Sequence, residues 1–170
     1  MAKWSFNNAT WTPVAVADTT AFPQTAGGAY MCLQGGSATQ VISLLEVYMG
    51  GQAGSSSPTF MVLSRDSTVG VTLAALTTGQ KNAALHTAPS ALAAVQQPFV
   101  SAGTSPQRSS TLGLLNLSFN ACGGIVRWVA APGEEIWLLG SAASLGEVSL
   151  SAYTGGTAGL MGSHIIYETY

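Results

Sequence analysis

Residues 40–49 read Gln40-Val-Ile-Ser-Leu-Leu-Glu-Val-Tyr-Met49, and this run decides the fold class. In a strand, successive side chains point to opposite faces. Strict alternation places Val41, Leu45, Val47 and Met49 on one face and Ile42, Leu44 and Tyr48 on the other. Both faces are apolar, and a strand apolar on both faces is covered on both. The expected covers are a second sheet on one side and a neighbouring subunit on the other.

Working outward, Gly50 to Pro58 reads as a flexible turn and Thr59 to Arg65 as the returning strand. Leu115, Leu117 and Phe119 alternate with Asn116, Ser118 and Asn120, the pattern of a half-buried strand. Gly123-Gly124 permits a tight bend into Ile125–Val129, and Ala131-Pro-Gly-Glu makes a turn before Glu135–Leu139. Val148, Leu150 and Ala152 alternate with Ser149, Ser151 and Tyr153, and His164 to Tyr170 reads as a closing strand. Helix signals are scarce: Lys81 to Gln97 is rich in Ala, but Pro89 breaks it. Residues 66–110, punctuated by Pro89, Pro98 and Pro106, are expected to form long loops with one or two short strands. Seven or eight short strands with Gly-rich turns predict an all-β chain, an antiparallel β-sandwich or jelly roll over residues 28–170.

Residues 1–27 read differently. Trp4, Phe6, Trp11 and Phe22 are spaced without an evident period and interrupted by Pro13 and Pro23. Two readings stand side by side: an extended N-terminal arm docking its aromatics on a partner, or a segment folded back on its own domain. No apolar h-region follows Met1, so no secretory signal is expected.

Composition excludes several function classes. Of 170 residues only 7% are charged and 47% are hydrophobic, with a net charge of −2. That is neither the low hydrophobicity nor the high charge of a disordered chain. No uninterrupted apolar run reaches the roughly 18 residues of a membrane span. Lys3, Arg65, Lys81, Arg108 and Arg127 are dispersed, which argues against a phosphate-binding surface and so against nucleic acid. So few charges point to a chain that packs against copies of itself or a partner.

Reactive constellations are missing from the sequence. There is no G-x-S-x-G elbow, no G-x-G fingerprint and no Walker lysine. His86 and His164 are the only histidines, too few for a multi-His metal site, so neither metal nor cofactor is expected. Cys32 and Cys122, each beside apolar residues, are expected to be buried free thiols. Glu134 and Glu135 are neighbours and would point apart in a strand. Glu46 and Arg127 are each the only charge in an apolar strand: they form a half-buried ion pair, or each sits at a solvated rim. Trp128 and Trp137 read as core or interface anchors. An enzyme and a small-molecule substrate are therefore not expected.

Several phrases together carry a resemblance: Ser43-Leu-Leu-Glu-Val-Tyr-Met-Gly-Gly-Gln at 43–52, Val62-Leu-Ser-Arg-Asp-Ser at 62–67, Ser118-Phe-Asn-Ala-Cys-Gly-Gly-Ile-Val-Arg-Trp-Val-Ala at 118–130, and Pro132-Gly-Glu-Glu-Ile-Trp-Leu-Leu-Gly at 132–140. With the closing Gly-Glu-Val-Ser-Leu-Ser-Ala and His-Ile-Ile-Tyr-Glu, the combination resembles the decoration (cement) proteins of tailed-bacteriophage heads, small jelly-roll proteins that sit as trimers on the capsid. It covers roughly residues 40–170 and carries no catalytic motif. The resemblance implies a virion structural protein on the outer capsid surface, a homotrimer whose partner is the major capsid protein. The alternative is a trimeric ligand- or glycan-binding module, such as a fibre head or a TNF/C1q-like domain. Trp4, Phe6, Trp11, Phe22, Glu46, Tyr48, Arg127 and Trp128 are the candidates for contacts with capsid or subunit.

Overall fold

The period-2 segments assemble into two antiparallel sheets. A computed structural model describes residues 2–11, 31–35, 37–66, 83–85, 97–100, 108–140, 146–152 and 161–170. Every regular element among them is a strand: β1 (Ala2–Trp11), β2 (Met31–Gln34), β3 (Val41–Gly51), β4 (Pro58–Asp66), β5 (Ala83–Ala84), β6 (Gln97–Val100), β7 (Arg108–Asn120), β8 (Ile125–Val129), β9 (Ile136–Leu139), β10 (Glu147–Ala152) and β11 (Met161–Thr169). One sheet runs β5-β1-β11-β3-β8, with β9 also paired to β3; the second runs β6-β2-β10-β4-β7. Ile42, Leu44, Val47, Met49, Ile165 and Tyr167 of the first sheet share one core with Leu33, Met61, Leu63, Leu117, Val148 and Leu150 of the second. The chain is an all-β antiparallel sandwich.

Strict alternation along β3 does not hold. Ile166 pairs with Glu46 and Tyr167 with Leu44, so Leu45 is an extra residue with no partner on β11. Such a bulge shifts the side-chain phase by one. Ile42 and Leu44 before it therefore face the same core as Val47 and Met49 after it. The outer face holds Val41, Ser43, Glu46 and Tyr48. The apolar excess that read as two covered faces is largely one core face seen through a phase change.

The same bulge divides the sheet edge. Val41–Leu44 pair with β9 and Glu46–Gly50 with β8, so β8 and β9 are two halves of one edge strand. The loop between them leaves where β3 bulges, and the Ala130 N–H donates to the Leu45 carbonyl at 2.9 Å. The strand 59–65, expected to return beside β3, instead crosses to the second sheet as β4 and pairs with β7 and β10. The turn at 121–124 likewise carries the chain from β7 to β8 across the sandwich. Its Gly123 has φ 74°, in the left-handed region that favours glycine. Within 66–110, where one or two short strands were expected, the described residues hold β5, β6 and the start of β7.

The N-terminal segment requires a correction. Residues 2–11 do not extend away from the domain as an arm; they form β1, paired with β11 from Ala2↔Thr169 to Trp11↔Met161. Ala2 and Trp4 turn inward, with Lys3, Ser5 and Asn7 on the other side, and Trp4 packs against the core. The sandwich thus starts at residue 2 rather than 28. Residues 12–27, with Phe22, lie outside the described residues, as does most of the Ala-rich stretch 81–97.

Candidate functional site

On the outer face of the β3 sheet, side chains from β1, β11, β3 and β8 line up in register. Asn7 pairs with His164, His164 with Tyr48, and Tyr48 with Arg127. One row along lie Ser5, Ile166, Glu46 and Val129. The diagonal between these rows brings Glu46 and Arg127 together. Arg127 Nε donates to Glu46 Oε1 at 2.8 Å and Nη2 to Oε2 at 2.9 Å, a fork matched to both carboxylate oxygens. His164 Nε2 lies 3.7 Å from Glu46 Oε1, and its ring stacks on Tyr48 with centroids 5.1 Å apart.

Of the two readings of Glu46 and Arg127, the ion pair is the one found. The Glu46 side chain is 11% exposed and that of Arg127 58%, so the guanidinium lies over the carboxylate and faces water itself. Its hydrogen bonds hold the Glu46 carboxyl below the usual carboxylate range, while burial pushes the other way. A carboxylate so engaged is a poor proton carrier near neutral pH. It fixes Arg127 in place and organises the face.

Around this pair the face is apolar. Ile125, Val129, Trp137, Leu139 and Tyr170 are exposed, and the first four follow the β8–β9 edge. Trp137 and Tyr170 meet at the far end, ring centroids 5.3 Å apart. Arg65, reaching from β4, donates from Nη2 to the Trp137 carbonyl at 2.8 Å. At the near end Asn7, Tyr48, Gly50, Gln52, Ile125 and His164 border a shallow depression of about 350 Å³. Asn7 Oδ1 is buried beside it and has no hydrogen-bond partner among the described residues.

The sequence-named candidates divide cleanly. Glu46, Tyr48 and Arg127 sit together on this face, whereas Trp128 turns inward and packs against the core. Trp4 does the same from β1, so neither tryptophan presents its ring on the outer face. Phe6 and Trp11 lie on β1, their side chains outside the described set, and Phe22 lies outside it altogether. Trp137, read from sequence as a core or interface anchor, is exposed on this face, and Tyr170, which the sequence reading did not single out, lies beside it. His164 sits within β11 rather than at its start.

Cys122, expected to be buried, is a free and exposed thiol in the turn after β7. The turn is held by Asn120, whose Oδ1 accepts from both Cys122 N and Ser57 N at 2.9 Å, leaving the Cys122 side chain outside the core. Glu135 lies before β9 and its Oε1 accepts from the Gly133 N–H at 3.2 Å, a turn contact. No group of three or more His, Cys, Asp or Glu that could hold a metal ion occurs among the described residues. Comparison with known proteins finds no match to a family model, a curated protein or a solved structure.

Proposed function

We propose that this chain is a virion structural protein, a capsid decoration (cement) protein that binds the outside of a tailed-phage head as a homotrimer. In this role it stabilises contacts between major capsid subunits and needs no cofactor, nucleic acid, membrane or small-molecule substrate. The observation that carries the reading is the outer face of the β3 sheet, where large apolar side chains surround an ion pair that is already satisfied. That surface is built to be covered rather than to react. The strand order supports the jelly-roll form: β1-β11-β3-β8/β9 faces β2-β10-β4-β7, and the first strand pairs with the last. Anchoring to the capsid by Trp4, entertained from sequence, is withdrawn because that side chain belongs to the core.

The test uses heads of the encoding virus assembled without this chain. Saturable co-sedimentation of the purified protein at micromolar concentration, in multiples of three per site, is the expected result. Failure to bind such heads, or absence of the chain from purified virions, overturns the proposal.

A second reading, a trimeric ligand- or glycan-binding module, is favoured by the depression beside Asn7, Tyr48 and His164, where the unpartnered Asn7 Oδ1 offers an acceptor. Saturable glycan binding that Tyr48→Ala abolishes, by a protein that ignores heads, selects this reading instead.

A further inference from the structure

We infer that the β8–β9 edge of the outer face is the surface through which copies of this chain join, its row of Ile125, Val129, Trp137 and Leu139 lining the symmetry axis. The inference deepens the proposed homotrimer and rests on it only for the number of copies.

Among the described residues, the exposed large apolar side chains other than Leu85 gather in one place. Ile125, Val129, Trp137, Leu139 and neighbouring Tyr170 are 40–66% exposed and share one face of the sheet. Side chains of this size present roughly 500 Å² between them. That is more than half of the roughly 800 Å² each partner hides in a stable specific interface. Val41, Tyr48 and Ile166, partly exposed beside the row, extend it. The row also lies on an edge strand, where a long exposed apolar stripe pairs indiscriminately unless something covers it.

Charge identifies the occupant as a second copy. Among the described residues, Glu135 flanks this face beside Tyr170, and the strands β1, β3, β8 and β11 carry Lys3, Glu46, Arg127 and Glu168, two charges of each sign. These four are paired within the face: Arg127 with Glu46 at 2.8 Å and Lys3 with Glu168 at 3.3 Å. Strands that cancel their own charge meet identical strands with little like-charge repulsion, and the Glu135 carboxylate at the far end accepts from the Gly133 N–H at 3.2 Å. Around a three-fold axis, the same row from each copy meets those of the other two. Arg127, in the middle of the row, then loses water on association while keeping Glu46.

The experiment is sedimentation equilibrium of the full chain and two variants at micromolar concentration, with circular dichroism as the control for folding. Val129→Lys places a cation in the row at a position that faces solvent in the single chain. Ser118→Lys does the same on the exposed side of β7, in the other sheet. A trimeric wild type and S118K, with V129K folded but its association weakened by roughly tenfold or more, is the expected result. A monomeric wild type, or a V129K protein that associates as wild type does, overturns the inference. The same samples mixed with undecorated heads separate the two proposals. Wild-type trimers that ignore heads count against the capsid role and leave this interface standing.

Discussion

Three alanine substitutions along β3 test whether the bulge at Leu45 sets the core. With the phase change, Leu44 and Val47 both face inward at 0% exposure, and Leu45 is the half-buried extra residue. Without it, Leu45 and Val47 would share a face and Leu44 would lie opposite. Leu44→Ala deletes three buried carbons, a change that costs about 2–5 kcal/mol according to how far the surroundings collapse. Here collapse is hindered, because β3 is hydrogen-bonded to β11 on one side and to β8 and β9 on the other. The expected loss is therefore in the upper part of that range, about 4 kcal/mol. Val47→Ala should cost about 2 kcal/mol, for the smaller volume removed, and Leu45→Ala about 1 kcal/mol or less. For a chain of this length each kcal/mol moves the melting temperature by roughly 2–4 °C, so Leu44→Ala should melt roughly 8–16 °C lower. Urea unfolding followed by tryptophan fluorescence, at one protein concentration so that association is held constant, gives the three values. A Leu45→Ala loss as large as that of Leu44→Ala refutes the phase change and the outer face built on it.

Acid provides a second test. The Glu46 carboxyl is held below its ordinary value of 4.5, so its contribution to stability is present above about pH 4.5 and is lost as pH falls through the lower folded value. Arg127→Ala should flatten this acid limb in a pH series of melting temperatures, and an unchanged limb would show that the pair does not stabilise the fold. Gly51→Ala should destabilise by more than about 1 kcal/mol, because its Cβ would overlap the Ala121 backbone of the turn into β8; a neutral result in urea unfolding contradicts that close approach. Asn120→Ala removes the acceptor shared by Ser57 N and Cys122 N, with an expected loss of about 1–3 kcal/mol and faster thiol labelling of Cys122. Equal labelling rates in the two proteins would count against Asn120 as the clamp of that turn. Deleting residues 2–11 removes β1 from its sheet and should abolish cooperative unfolding; a truncated chain that melts like the full one rules out β1 as an integral strand.

The sequence alone determined the fold class and much of the element order. Leu115–Asn120 and Val148–Ala152 announce themselves by period 2, Ile125–Val129 by the Gly123-Gly124 bend before it, and Gly123 and Gly133 mark turns at which both take positive φ. These signals are local: alternation and turn chemistry reside in a few consecutive residues, so one strand can be read without its neighbours. Three members of the outer face, Glu46, Tyr48 and Arg127, were legible for the same reason, as unusual residues within apolar strands. Tertiary structure decided the rest. The alternation Ala2, Trp4 against Lys3, Ser5 was present, but Trp11 and the prolines obscured it, and its partner β11 lies at the other end of the chain. Trp128 and Trp137 look equivalent in sequence, yet one packs against the core and the other lies open, because each occupies the opposite phase of its own half of the edge strand. The Glu46–Arg127 pair joins residues 81 apart, and it forms only because the bulge turns Glu46 outward opposite β8. Register between distant strands is a property of the pair, set by which alignment buries the most apolar surface, and neither strand contains it alone.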